Sequence, residues 1–152
     1  KLVLVSTTAG IEDRESRLNR INQDEELAKR VEQVGVAKFI DEWLRQPIFS
    51  GLRPENDQRS LRLNNTATGL SSSLRLCGAG RQQPVWSRLC ELKMPVLVIA
   101  GSNDQKYRDL AERIVFEIGE NAQLSIVADS GHTPHLEQPE KFNKLLHQFL
   151  KN

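Results

Sequence analysis

Three short apolar runs and two amphipathic stripes organise this chain. Leu2-Val3-Leu4-Val5 and Pro95-Val96-Leu97-Val98-Ile99-Ala100 are unbroken β-rich stretches, the pattern of strands buried on both faces of a parallel sheet. Ala122-Gln123-Leu124-Ser125-Ile126-Val127 is a third, more mixed run. Between the last two, Leu110, Ile114 and Ile118 recur at helical spacing, and Gly119 follows as a stop signal. Pro139 opens a final helical pattern that places Phe142, Leu145, Leu146, Phe149 and Leu150 on one stripe. From residue 95 onward the order is strand, helix, strand, helix, which predicts an α/β unit with a parallel sheet.

Residues 10–92 have a different character. Leu27, Val31 and Val34, then Val36, Phe39, Ile40, Trp43 and Leu44, follow helical spacing; Pro47 and Pro54 punctuate the stretch, and a further helix is expected over residues 68–76. No strand signal interrupts it. The expected organisation is a core strand over residues 1–9, a helical cap and return to the core over 10–92, and a C-terminal α/β core over 93–152. A helical insertion between strands suits a cap over an active site. The chain opens directly in a strand, without Met, so a sequence cut from something longer is expected. Strands parted from the rest of their sheet then predict an aggregation-prone or partly molten fragment.

Composition narrows the function classes. Apolar residues make up 38% and charged residues 27%, enough apolar mass for a core. The 21 basic and 20 acidic residues nearly cancel, to a net charge of +1, which gives no footing for nucleic acid or a polybasic membrane contact. No apolar run approaches the ~18–20 residues of a membrane span, and the first residues lack a signal-peptide layout. The expected location is therefore the cytoplasm. Cys77 and Cys90 lack paired spacing and point to two buried thiols, with a lone disulfide as the alternative.

Two positions just beyond predicted strands are suited to chemistry, because ligands of open α/β sheets bind at the C-terminal strand ends. Asp104 follows the Pro95–Ala100 run in Gly101-Ser102-Asn103-Asp104. His132 follows the third run in Asp129-Ser130-Gly131-His132-Thr133-Pro134-His135. One strand–helix unit separates them, so their loops emerge from neighbouring strands. A carboxylate there can accept from the imidazole N–H and fix its tautomer, leaving the other nitrogen as a base. Plainer roles stand beside these. Asp104 could cap the following helix, His132 could be an ordinary loop histidine, and His132 with His135 could ligate a metal, although no third ligand is evident.

The segment from Pro95 to Asp104, followed by Gly131-His132 and His135-Leu136-Glu137-Gln138-Pro139, resembles the terminal third of the α/β hydrolases. The resemblance implies an α/β-hydrolase fold with a triad in the chain order Ser, Asp, His, the acid in a G-x-x-D context and the base in G-H-x-x-x-x-E-x-P. Asp104 and His132 match the catalytic acid and base. No G-x-S-x-G elbow occurs in the 152 residues, so the resemblance places the nucleophile outside this chain and implies no triad activity for the chain alone.

The helical stretch is similar to the cap of the 2-succinyl-6-hydroxy-2,4-cyclohexadiene-1-carboxylate synthases, lyases of menaquinone biosynthesis. The matching strings are Arg17-Leu18-Asn19-Arg20, Asp24-Glu25-Glu26-Leu27-Ala28, Phe39-Ile40-Asp41-Glu42-Trp43-Leu44-Arg45-Gln46-Pro47-Ile48-Phe49, Leu61-Arg62-Leu63-Asn64-Asn65 and Gly69–Arg75. This resemblance implies Arg20, Trp43 and Arg62 as substrate contacts, with Arg17, Arg59 and Arg75 as neighbouring candidates. It also implies a small-molecule polycarboxylate substrate, elimination of pyruvate, and no metal or organic cofactor. Eight Arg and two Lys lie between Gly10 and Asn65, and Arg suits bidentate carboxylate binding. The same stretch holds eleven acidic residues, so surface ion pairs account for the arginines equally well, and Trp43 could be core packing. Other expectations stay open: an ester or C–C bond hydrolase of the same fold, or a non-catalytic binding module.

Overall fold

A computed structural model describes residues 1–151. It contains three strands, β1 (Leu2–Val5), β2 (Val96–Gly101) and β3 (Ala122–Val127), all parallel and in the spatial order β1-β2-β3. Six α-helices accompany them: α1 (Arg14–Leu44), α2 (Arg59–Arg62), α3 (Ala67–Cys77), α4 (Gln105–Ile118), α5 (Pro134–Glu137) and α6 (Pro139–Lys151). Short 3-10 turns occupy Pro47–Phe49, Pro54–Asn56 and Trp86–Glu91. No helix among the described residues is long and apolar enough to cross a membrane.

Contacts divide the chain into two compact units. The first comprises Lys1–Ala9, Pro47–Asn56 and Val85–Asn152, and holds the sheet. The second comprises Gly10–Gln46 and Asp57–Pro84, and is helical. The stretch 47–56, within the span read from sequence as cap and return to the core, falls in the unit that holds the sheet.

In the first unit β2 is the central strand, and all six of its residues are buried. Alternate side chains of a strand face opposite ways. Val96, Val98 and Ala100 accordingly pack with Ala111, Ile114 and Ile118 of α4 and with Trp86 and Leu89, while Leu97 and Ile99 pack with Val127 and Phe149 of α6. The unbroken apolar run of β2 is what a strand covered on both faces requires. On α6 the predicted stripe holds for Phe142, Leu145 and Phe149, but Leu150 is 52% exposed, because its position has turned past the sheet. Both cysteines are free and exposed, correcting the expectation of buried thiols: Cys77 ends α3 and Cys90 lies in a 3-10 turn.

In the second unit α1 packs on α3 through Val31, Phe39 and Ile40, with Leu70 and Leu74 against them. Gly35 breaks α1 with φ 78° and ψ 165°, a conformation that L side chains rarely adopt, and the apolar register restarts at Val36. Thr66 caps α3 by accepting from the Gly69 amide. Arg75 of α3 reaches two carboxylates of α1, with its Nε 2.9 Å from Glu25 and its Nη2 3.0 Å from Glu32.

Candidate functional site

The loops after β2 and β3 are drawn together by backbone. Ser102 donates its amide to the Val127 carbonyl at 2.9 Å, and Asn103 donates to Ser130 at 2.8 Å. Gly101 makes this approach possible, since a Cβ there would overlap the Ser130 and Gly131 carbonyls. Ser102 Oγ accepts from the Asp129 amide at 2.9 Å, and buried Ser130 donates its hydroxyl to Val127 O at 2.9 Å. The His132 loop is thus tied to the Asp104 loop before any side-chain contact between the two residues is counted.

At the centre, His132 Nδ1 lies 2.8 Å from Asp104 Oδ2. A carboxylate can only accept, so Nδ1 carries the proton and Nε2 is left as the acceptor. The other oxygen of Asp104 accepts the Tyr107 amide at 3.3 Å and caps α4. The two roles considered for Asp104 in the sequence, helix cap and partner of the histidine, are filled by different oxygens of one carboxylate. Tyr107 also sets its ring against the imidazole, with centroids 4.4 Å apart and planes tilted by 58°. The pair is largely sheltered, with side chains 21% exposed for His132 and 13% for Asp104. It borders a recess of about 410 Å³ lined on one side by Pro47, Ile48, Ser50 and Gly51. Among the described residues no group of three or more His, Cys, Asp or Glu is placed to hold a metal ion. His135 packs edge-on against Phe142, with ring centroids 5.9 Å apart.

In the helical unit, Trp43 and Arg62 line one recess of about 210 Å³, together with Phe39, Ile40, Asn65, Leu70, Ser73 and Leu74. The Trp43 ring also stacks on Phe39, with centroids 5.9 Å apart. Arg62 donates its Nε to the Asp57 carbonyl at 2.9 Å. Arg20 does not line that recess; its Nε donates to Asp24 at 2.9 Å. Of the neighbouring candidates, Arg59 pairs with Asp41 and Arg75 with Glu25 and Glu32, whereas Arg17 donates to Gln83.

Three contributors were not singled out in the sequence as site residues. Tyr107 lies three residues after Asp104, yet only the first turn of α4 shows that its ring meets His132. Gly51 and Glu137 approach one another beside the histidine loop, although they are distant in sequence. The Glu-x-Pro string was a signal for Glu137 but did not say what the carboxylate holds.

A parallel β1-β2-β3 sheet covered by helices, with the acid and the imidazole on successive loops, forms part of an α/β-hydrolase fold. Within that fold the chain is similar to 2-succinyl-6-hydroxy-2,4-cyclohexadiene-1-carboxylate synthase. It is 36% identical, over 98% of its length, to a Bacillus subtilis (strain 168) protein assigned as that synthase, and covers 56% of that protein. The synthase of Photorhabdus laumondii is 26% identical over 98% of this chain and 52% of its own. Among solved structures, MenH from S. aureus superposes with a TM-score of 0.93 at 31% identity, over 99% of this chain and 58% of that one. A Thermogutta terrifontis esterase, TM-score 0.75 at 24% identity over 99% of this chain and 55% of that one, shares the fold. No family profile matches the chain. The chain spans just over half the length of the relatives it matches.

Proposed function

We propose that this chain carries the acid and the base of a 2-succinyl-6-hydroxy-2,4-cyclohexadiene-1-carboxylate synthase, and acts with a serine nucleophile supplied by sequence outside it. The contact between His132 Nδ1 and Asp104 Oδ2 at 2.8 Å is the observation that carries this reading. It orients Nε2 to take the serine proton, and the carboxylate stabilises the imidazolium that forms. The activated serine oxygen then removes a proton from 2-succinyl-5-enolpyruvyl-6-hydroxy-3-cyclohexene-1-carboxylate. A carbon–carbon double bond forms as the bond to the enolpyruvyl oxygen breaks, and the departing enolate takes the proton held by the imidazolium to become pyruvate.

Trp43 and Arg62 are the substrate contacts that a shared recess supports best: a flat apolar wall beside a planar guanidinium suits a carboxylate-bearing ring. Arg20 is the third proposed contact. Asp24 holds its Nε, so the substrate would meet its terminal nitrogens. The similarity to the synthases favours the lyase over ester hydrolysis, for which only the shared fold speaks.

The test joins this chain to a nucleophile-bearing segment and assays pyruvate release against hydrolysis of simple esters. Pyruvate release that depends on His132 is the expected result. Strong ester hydrolysis without pyruvate would replace the lyase with a hydrolase, and no turnover of either, with binding retained, would favour a ligand-binding module.

A further inference from the structure

Glu137 is a carboxylate only 8% exposed, and among the described residues no cation pairs with it. Its charge is met by hydrogen bonds alone. Oε2 accepts the Gly131 amide at 2.7 Å, and Oε1 accepts the Thr133 amide at 3.0 Å and the Thr133 hydroxyl at 2.9 Å. The two amides belong to the residues on either side of His132. Each oxygen therefore holds the backbone on one flank of the imidazole, and the bonds to a buried carboxylate cannot be given up cheaply.

The space around Glu137 is closed as well. A Cβ on Gly51 would overlap Oε2, and a Cβ on Gly131 would lie 3.4 Å from both oxygens. A carboxylate at the tip of a flexible side chain ordinarily swings away from such a methyl. Here three donors hold it in place.

We propose that Glu137 is the positioning residue of the acid–base pair: it fixes the backbone from which His132 reaches Asp104, and Gly51 is the complement that leaves it room. The proposal rests on reading Asp104 and His132 as that pair. Glu137 acts through the loop and touches no reacting atom. A purely structural role would instead make Glu137 a tie for α5, with the imidazole indifferent to its loss.

The tautomer of His132 separates the two. The titratable groups in contact with the ring are Asp104 from the loop before α4 and Tyr107 from α4, while Glu137 of α5 bonds the backbone on either side of it. Glu137→Gln keeps the shape but turns one oxygen into an NH2, which sets donor against donor at one of the two amides. Nitrogen-15 NMR with labelled histidine, on the chain joined to the nucleophile-bearing segment, reads the ring directly. The unaltered chain should show a downfield Nδ1–H proton and the Nδ1–H tautomer. E137Q should lose that signal and shift the ring toward the Nε2–H form while the amide spectrum stays folded. G51A should do the same by pressing on Oε2.

A folded E137Q that keeps the Nδ1–H signal overturns the proposal. Should E137Q fail to fold, G51A decides: loss of the signal supports the role, and its persistence overturns it. Absence of the signal in the unaltered chain would sink the acid–base pair and the positioning role together, whereas persistence in all three proteins sinks Glu137 alone.

Discussion

At Asp104 one oxygen takes the Tyr107 amide and the other meets His132, so substitutions can separate the cap from the contact with the imidazole. Asn caps a helix about as well as Asp, but its amide would present a donor to Nδ1 and favour the wrong tautomer. Asp104→Asn, in a protein completed with a nucleophile, is therefore expected to lower kcat by about 10³–10⁴-fold with little change in Tm. Asp104→Ala should lose the cap as well and melt earlier, by the equivalent of about 1 kcal/mol. Turnover and thermal unfolding measured on both variants check this; equal melting of the two, with activity retained in Asp104→Asn, would contradict it. Positions of this kind were legible as candidates because each lies in the loop that follows a strand. That both roles of Asp104 hold at once was not legible, because a sequence does not show which oxygen points where.

Single elements carry two further predictions. Gly35 sits in the break of α1 with φ 78°, and an added Cβ would meet nothing within 4 Å. Gly35→Ala should thus destabilise the helical unit through backbone strain alone, by about 1–2 kcal/mol, read from denaturant midpoints. Unchanged stability would mean that the break relaxes into continuous helix. Between α1 and α3, hydrogen bonds from Arg75 and then from Ser71 hold the Glu32 carboxyl down to about 2, from an ordinary 4.5. A depressed carboxylate stabilises fully above its unfolded value, and that contribution is lost as pH falls from about 4.5 toward about 2. Glu25 is lowered in the same direction, mainly by its hydrogen bond to Arg75. Arg75→Gln should flatten the acid limb of the stability curve, and added salt should narrow the gap between the two proteins, since these side chains are 32–42% exposed. Unfolding followed across that pH range makes the comparison. The helices themselves were visible in the apolar spacing, but this clamp was not: a basic residue and two acids on separate helices look like ordinary surface charge.

For the molecule as a whole, the sheet presents an asymmetry of partners. β2 has a strand on either side, whereas β1 pairs only with β2 among the described residues, and Leu2–Val5 stay partly exposed. Phe116 at 83%, Leu76 at 75% and Leu61 at 62% exposure add apolar surface. With a net charge of +1, little repulsion opposes self-association. The chain by itself is expected to associate as its concentration rises and to bind apolar dyes, followed by light scattering and dye fluorescence. A monomer with one cooperative thermal transition would contradict this.

The sequence by itself determined the strands and main helices, because burial on both faces demands an unbroken apolar run and burial on one demands helical spacing. It also determined which two residues lie in the loops after neighbouring strands, since chain order dictates which loops share an edge. Only the tertiary structure decided how close those residues come, because a 2.8 Å contact depends on Gly101 admitting the Ser130–Gly131 backbone. It likewise brought Trp43 and Arg62 to one recess while leaving Arg20 on Asp24, and it set Gly51 against Glu137. The pairings of Trp43 with Arg62 and of Gly51 with Glu137 join residues far apart in the chain, and no local pattern of polarity records them.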